Sequence, residues 1–292
     1  MKLLRCIDST GKYCIAAEKD GVIIDIIKTA KEKGLPVPNT MYGIIIGDEQ
    51  DKETLNEVIS GDVCPVSGAI KYLTPLELCG KILCVGLNYS DHRKECGEFQ
   101  KAPEELVLFS KFENAAAAHN GCIPLPSIAK EYDYEAELVI VIGKRAKNVS
   151  VEDAAQFIFG YTIGNDLSAR DLQFRTGQWL LGKTLDKFAP IGPYIVTADE
   201  IDPHNLSISC RLNGELRQNA STSDMIFTPE QIISYASKIM TLKPGDVIFT
   251  GTPSGVILGD TNPDKQWLKS GDVTEITIEG IGTLRNTFCA TE

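Results

Sequence analysis

The chain has 292 residues, 43% hydrophobic and 24% charged, which suits a globular protein built as one large domain or as a large and a small one. Its formal net charge of −11 argues against nucleic acid and against an anionic membrane surface as partners. A small anionic substrate stays compatible, because a local metal ion or a cluster of Lys and Arg reverses the field.

Nine cysteines are present, an odd count, and no C-x-x-C pair occurs. That is no zinc framework and a poor disulfide framework. Most of the cysteines sit in apolar runs, such as Cys84 in "KILCVG", and read as small buried hydrophobes. A reducing, cytoplasmic setting fits this usage. The N-terminal stretch lacks the apolar run of a secretory signal, and no run approaches the ~20 residues that span a bilayer.

In chain order, residues 1–75 read as a small α+β unit. "YCIAAEKDGVIIDI" predicts a hairpin turning at Asp20-Gly21, with short helices in "IIDIIKTAKEKG" and "DKETLNEVI". Residues 76–292 form the second unit. "KILCVGLNYS" reads as a strand leading into the polar segment "DHRKECGEFQKAP", a candidate mobile helix or lid. Strand patterns then dominate: "LVLFSKF", "AELVIVIG", "GYTIGND", "PIGPYIVT", "LSISCRLNG", "DVIFTGTP" and "VTEITIEGIGTL". Two helix starts stand out, Ser150 with Asp153 before "VEDAAQFIF" and Thr228-Pro229 with Gln231 before "IISYASKIM". Few helices separate the strands, so the fold class is α+β, mostly β, with a mixed or antiparallel sheet closed or rolled.

Four groups of residues can carry chemistry. Glu135 and Glu137 in "YDYEAELVIVIGK" share one face of a strand, and like charges ~6–7 Å apart there call for a metal ion, basic side chains or water between them. Asp166 ends a second strand, and three oxygen donors suit Mg²⁺, Mn²⁺ or Ca²⁺. A solvated edge strand is the plain alternative. His92 and Glu95 share a helical face at i and i+3, as a general base and its orienting acid or as an exposed polar helix. Arg170, Gln173, Arg175 and Lys183 offer cations and an amide near Asp166, for oxyanion stabilisation or for surface pairing. The loop from Thr250 to Gly255 offers backbone N–H groups to a carboxylate, or is a simple turn.

Taken together, "CVGLNYSDHRKECG", "DYEAELVIVIGK", "GYTIGNDLSARDLQ", "WLLGKTLDKFAPIGP", "LNGELRQNASTSDMIF", "LKPGDVIFTGTPSGV" and "LKSGDVTEITIEGIGTLRN" resemble the fumarylacetoacetate hydrolase family in residue type and order. The resemblance implies a rolled β-sandwich of mixed strands, usually dimeric, with a divalent metal on Glu135, Glu137 and Asp166. It implies small 2-oxo or 2,4-dioxo acids as substrates, chelated through carboxylate and 2-oxo group. It further implies water activation by His92 and Glu95 on a lid, enolate stabilisation by Lys183, and substrate contacts from Arg170, Gln173, Gly251 and Thr252. The reaction expected first is hydrolysis of a C–C bond in an acylpyruvate-like acid, with oxaloacetate decarboxylation or a dienedioate-type isomerisation as alternatives. A non-catalytic binding protein on the same scaffold is the remaining expectation.

Overall fold

The computed structural model describes residues 1–77, 80–97 and 105–291. Residues 98–103 of the expected lid lie outside these. The strands that matter are β1 (Lys2–Ile7), β2 (Tyr13–Lys19), β3 (Val22–Asp25), β4 (Ile82–Gly86), β5 (Val107–Lys111), β6 (Cys122–Leu125), β7 (Ala136–Ile142) and β8 (Ile158–Asn165). They continue as β9 (Ile195–Thr197), β10 (Ser207–Leu212), β11 (Glu215–Ser221), β12 (Val247–Phe249), β13 (Val273–Ile278) and β14 (Gly282–Ala290). The helices are α1 (Ile26–Lys33), α2 (Met41–Ile45), α3 (Glu49–Val58), α4 (Ser90–Glu95), α5 (Arg170–Gln173), α6 (Leu180–Lys183) and α7 (Pro229–Ile239).

A ten-stranded sheet runs β3-β2-β1-β9-β8-β7-β12-β4-β5, with the short strand Lys71–Tyr72 paired to β1. A five-stranded sheet runs β11-β10-β13-β14-β6. Pairing is mixed: β12 with β4 and β14 with β6 are parallel, and the other long pairs are antiparallel. Mostly β with a few helices, this is the expected class.

Local signals account for many elements. Asp20 and Gly21 both hold positive φ (51° and 78°), as a two-residue hairpin turn requires. Asp25 caps α1 by accepting from Lys28 N, and Gly34 closes it in the left-handed region. Thr228 and Gln231 form a reciprocal capping box at α7, with Pro229 in its first turn. The helix expected over 151–159 is instead a single 3₁₀ turn, Ala154–Phe157. Ser150 Oγ does meet Asp153, but Ile158 is claimed by pairing with Ile142 on β7, and β-sheet formation wins over the cap.

The apolar run of β7 is explained by what covers each face. Leu138, Ile140 and Ile142 point into the core between the two sheets, with Ile208, Ile276 and Phe288. Val139 and Val141 point the other way, into a core with Leu3, Ile15, Ile26, Met41 and Leu55 of the N-terminal segment. That segment joins the large sheet through β1, whose Leu3 pairs with Ile195 on β9. One cysteine pair departs from the expected poor disulfide framework: Cys122 on β6 and Cys289 on β14 are bridged, and six other described cysteines are free.

Candidate active site

Strand register brings the three acids together. β7 and β8 are antiparallel neighbours with Ala136 opposite Asn165 and Glu137 opposite Gly164. Glu135 and Glu137 therefore flank the start of β7 just where β8 ends and Asp166 follows. Asp166 N donates to the Glu135 carbonyl at 2.9 Å, and Glu135 N donates to Asn165 Oδ1 at 3.0 Å, so the junction is tied on both chains. The carboxylate oxygens of Glu135, Glu137 and Asp166 lie within 4.8 Å of one another, and all three residues are buried.

Three buried cations offset these acids. Lys183 Nζ donates to Glu135 Oε2 (2.7 Å) and to Asp166 Oδ2 (2.9 Å). Arg170 donates to Asp133 Oδ2 through Nε (2.9 Å) and Nη2 (2.8 Å), to Glu135 Oε1 through Nη2 (2.7 Å), and to Gln173 Oε1 through Nη1 (2.9 Å). Lys111 Nζ stands 2.6 Å from Asp166 Oδ1 and donates to the carbonyls of Leu167 and Phe188. Glu137 meets no cation among the described residues; its Oε2 accepts from Gly251 N at 2.6 Å. Gly251 holds φ 100°, and a Cβ there would meet Asn88 Cβ at 2.7 Å, so glycine is needed for the loop to approach the acid.

The electrostatics follow this wiring. Burial would raise Glu135, but Lys183 and Arg170 outweigh it and hold its carboxyl far below the usual range. Burial pushes Glu137 well above its usual value, and the neighbouring carboxylates of Asp166 and Glu135 push the same way. Burial lowers Lys111 despite Asp166, whereas Lys183 ends raised because Asp166 and Glu135 outweigh its burial. With Asp133, four buried carboxyl groups face Lys183, Arg170 and Lys111, and Glu137 is the one that none of these cations meets. Three close oxygen donors, with no nitrogen or sulfur among them, fit a hard divalent cation, and the unpaired Glu137 is where its charge is missing.

His92 and Glu95 face this cluster from α4. His92 is buried, and its Nδ1 lies 2.7 Å from Glu95 Oε1. Burial alone would lower the imidazole, but the Cys96 thiol and the Glu95 carboxylate overcome that and push it up to about 9. Glu95 Oε2 accepts from Gly255 N at 2.9 Å, which fastens α4 to the loop after β12. Thr252 Oγ1 in the same loop accepts from Gln218 Nε2 at 2.8 Å, leaving its own hydroxyl proton to donate.

Eight of the eleven residues singled out in the sequence line one cavity of about 110 Å³: His92, Glu135, Glu137, Asp166, Arg170, Gln173, Lys183 and Thr252. Glu95 and Gly251 stand one layer behind, on His92 and Glu137. Arg175 is exposed and bonds the Asp171 carbonyl, so the surface reading holds for it. Apolar side chains, among them Phe109, Trp179 and Leu258, line the rest of the cavity, with the Phe109 ring centroid 5.0 Å from Lys183 Nζ.

Three supporting residues went unread in the sequence. Asp133 accepts from Arg170 and from Ile257 N and Leu258 N (2.8 and 3.0 Å), pinning the cavity wall. Its position two residues before Glu135 was the available signal. Gln218 on β11 accepts from Ala136 N at 3.0 Å and donates to Thr252 and the Pro253 carbonyl, so it spans both sheets. Lys111 is a lone cation in the apolar strand "LVLFSKF".

Comparison with known proteins places this geometry. Residues 81–289 match the family profile described as fumarylacetoacetate (FAA) hydrolase, C-terminal. The chain is 44% identical over 303 positions to a fumarylacetoacetate hydrolase domain-containing protein 2 homolog of Dictyostelium discoideum, covering 98% of this chain and 96% of the relative. It is 46% identical over 220 residues to a mitochondrial oxaloacetate tautomerase of Xenopus laevis, covering 74% and 68%. The solved fumarylacetoacetate hydrolase of Exiguobacterium antarcticum superposes over 100% of both chains with TM-score 0.85 at 35% identity. Family members usually bind a divalent metal, and the acid cluster is a possible site for one. Among the described residues no helix is long and apolar enough to cross a membrane. From the matched profile and these identities over most of its length, the chain belongs to the fumarylacetoacetate hydrolase family.

Proposed function

We propose that this protein is a divalent-metal-dependent enzyme that moves a proton at the carbon beside the keto group of a small 2-oxo acid, with keto–enol interconversion of oxaloacetate as its reaction. The observation that carries the reading is the buried acid cluster facing His92 across one small cavity. The likeness to an oxaloacetate tautomerase supports the choice of reaction. Mg²⁺ or Mn²⁺ on Glu135, Glu137 and Asp166 would supply a Lewis acid for the substrate's carboxylate and 2-oxo oxygen.

The chain's own residues do the rest. Lys183 is a fixed cation beside two of the acids, and it lowers the cost of negative charge developing on the substrate as C3 loses its proton. Arg170 holds Glu135 and Gln173 in place. Thr252 offers a hydroxyl proton to a substrate oxygen. His92, oriented by Glu95, is the group positioned to carry a proton between C3 and the 2-oxo oxygen. The apolar wall keeps bulk water from that transfer.

The test uses enol-oxaloacetate with a dehydrogenase that consumes only the keto form. Metal-loaded protein should speed the coupled reaction, and Lys183→Met should abolish the gain. No acceleration, together with turnover of acetylpyruvate, overturns the reading in favour of C–C hydrolysis. That second reading is favoured by the complete His92–Glu95 pair, in which the carboxylate fixes the orientation of an acid–base imidazole on the cavity. Oxaloacetate decarboxylation draws on the same residues and is read from carbon dioxide release. We further propose a homodimer, checked by light scattering, and a cytoplasmic setting, checked by fractionation; a mitochondrial location like that of the Xenopus relative is the competing outcome.

A further inference from the structure

We propose that His92, Glu95 and Cys96 form a second cation site, for a borderline or soft divalent ion such as Zn²⁺, apart from the oxygen site on Glu135, Glu137 and Asp166. Cys96 closes α4, so the three residues stand at i, i+3 and i+4 and share one helix face. Cys96 Sγ lies 3.9 Å from His92 Nδ1 and 3.8 Å from Nε2, and Glu95 Oε1 lies 2.7 Å from Nδ1. A ligand atom from each residue falls within 4.8 Å of the others.

Zinc takes sulfur at about 2.3 Å and nitrogen or oxygen at about 2.0–2.2 Å, so ligand atoms around a tetrahedral ion stand roughly 3.3–3.8 Å apart. Cys96 Sγ is nearly equidistant from the two ring nitrogens, so the thiolate must rotate toward the Nδ1 edge to share an ion held there. Glu95 Oε1 must back off by about half an ångström as the ion replaces the proton it shares with Nδ1. The carboxylate is otherwise held, because Oε2 accepts from Gly255 N. The fourth position opens on the cavity, which His92 and Cys96 both line, and is left to water or a substrate carboxylate.

The two donor sets sort ions by chemistry. Three carboxylates prefer Mg²⁺ or Mn²⁺; a thiolate with an imidazole and one carboxylate prefers Zn²⁺. The ion would take the imidazole lone pair, so zinc would switch off proton transfer by His92. That last consequence rests on the proposed function; the site itself does not.

The test needs no turnover, so its failure is separate from failure of the proposed reaction. The full chain is saturated with Mg²⁺ and titrated with Co²⁺ as a coloured stand-in for zinc. One equivalent should give a near-ultraviolet thiolate-to-cobalt band that Zn²⁺ removes. The band should be lost in Cys96→Ser and in His92→Gln, and kept in Cys64→Ser and in Glu137→Gln. No band, or one that survives Cys96→Ser, overturns the proposal. A second measurement uses the unaltered chain: stoichiometric Zn²⁺ in the presence of Mg²⁺ should slow alkylation of Cys96, read by peptide mass spectrometry. Equal alkylation with and without zinc also overturns it.

Discussion

Glu95 joins α4 to the loop after β12: its Oε2 accepts from Gly255 N at 2.9 Å while its Oε1 stands 2.7 Å from His92 Nδ1. The clasp depends on empty space at Gly259, where an added Cβ would lie 2.4 Å from Glu95 Cδ. Gly259→Ala should therefore push Glu95 off both partners and leave His92 misaligned. We expect kcat to fall on the order of 10²-fold with a smaller change in KM and little change in Tm. Steady-state kinetics beside thermal melts check this, and an Ala variant with unaltered kcat rejects the clasp.

Glu137 sets a pH dependence of metal binding. Burial and the Asp166 and Glu135 carboxylates raise it above its ordinary 4.5 in the folded chain. A raised carboxyl contributes stability that is full below 4.5 and is lost as pH climbs through the folded value. A divalent cation replaces that proton, so metal-induced stabilisation should be larger at about pH 8 than at about pH 6. Glu137→Gln should erase the metal-induced rise in Tm and its pH dependence together. Thermal shift with Mg²⁺ or Mn²⁺ is the measurement, and a Gln variant that still responds to metal refutes the assignment.

Lys111 is a structural cation under the site. Its Nζ serves the buried carbonyls of Leu167 and Phe188 as well as Asp166. Lys111→Met leaves all three without it, and breaking a buried charged network by one partner costs about 3–5 kcal/mol. Urea denaturation of the metal-free chain should show a loss of that order. A loss below about 1 kcal/mol would mean water takes over the role.

His119 gives the fold an acid limit. Its Nδ1 accepts from Arg285 N at 3.1 Å, and burial, with Arg285 nearby, lowers it from 6.5 to about 4. A depressed histidine contributes stability that is present above 6.5 and is lost as pH falls toward 4. His119→Gln keeps an acceptor without the titration, so its stability curve should be flatter in that window. Melts collected across it decide the point, and parallel curves for the two proteins would exclude His119 as the cause.

How far the sequence could be read follows from how local each signal is. The Asp20-Gly21 turn and the Thr228–Gln231 box are set within four residues, and both stand in the structure. The acids are visible because period-two spacing exposes Glu135 and Glu137 on one face and Asp166 closes a second strand pattern, with Lys183 among the basic residues near it in sequence. The Ser150 signal misled because a partner strand, Ile142 on β7, outbid a local cap for Ile158. Gln218 was out of reach for the opposite reason. Its worth lies in bonds to Ala136 and Thr252, 82 and 34 positions away, which no spacing rule reports.

The Ala136–Asn165 pairing makes the acid cluster a matter of counting along two neighbouring strands. Length changes in the connector 143–157 should leave the cluster untouched, because both strand ends that carry it lie beyond the other end of the ladder. Deleting one residue inside β8 instead turns its alternation over, and Asp166 would be delivered to the wrong side of Glu135. Natural or engineered variety in this scaffold should therefore accumulate at that distant connector and be absent from the eight residues of β8.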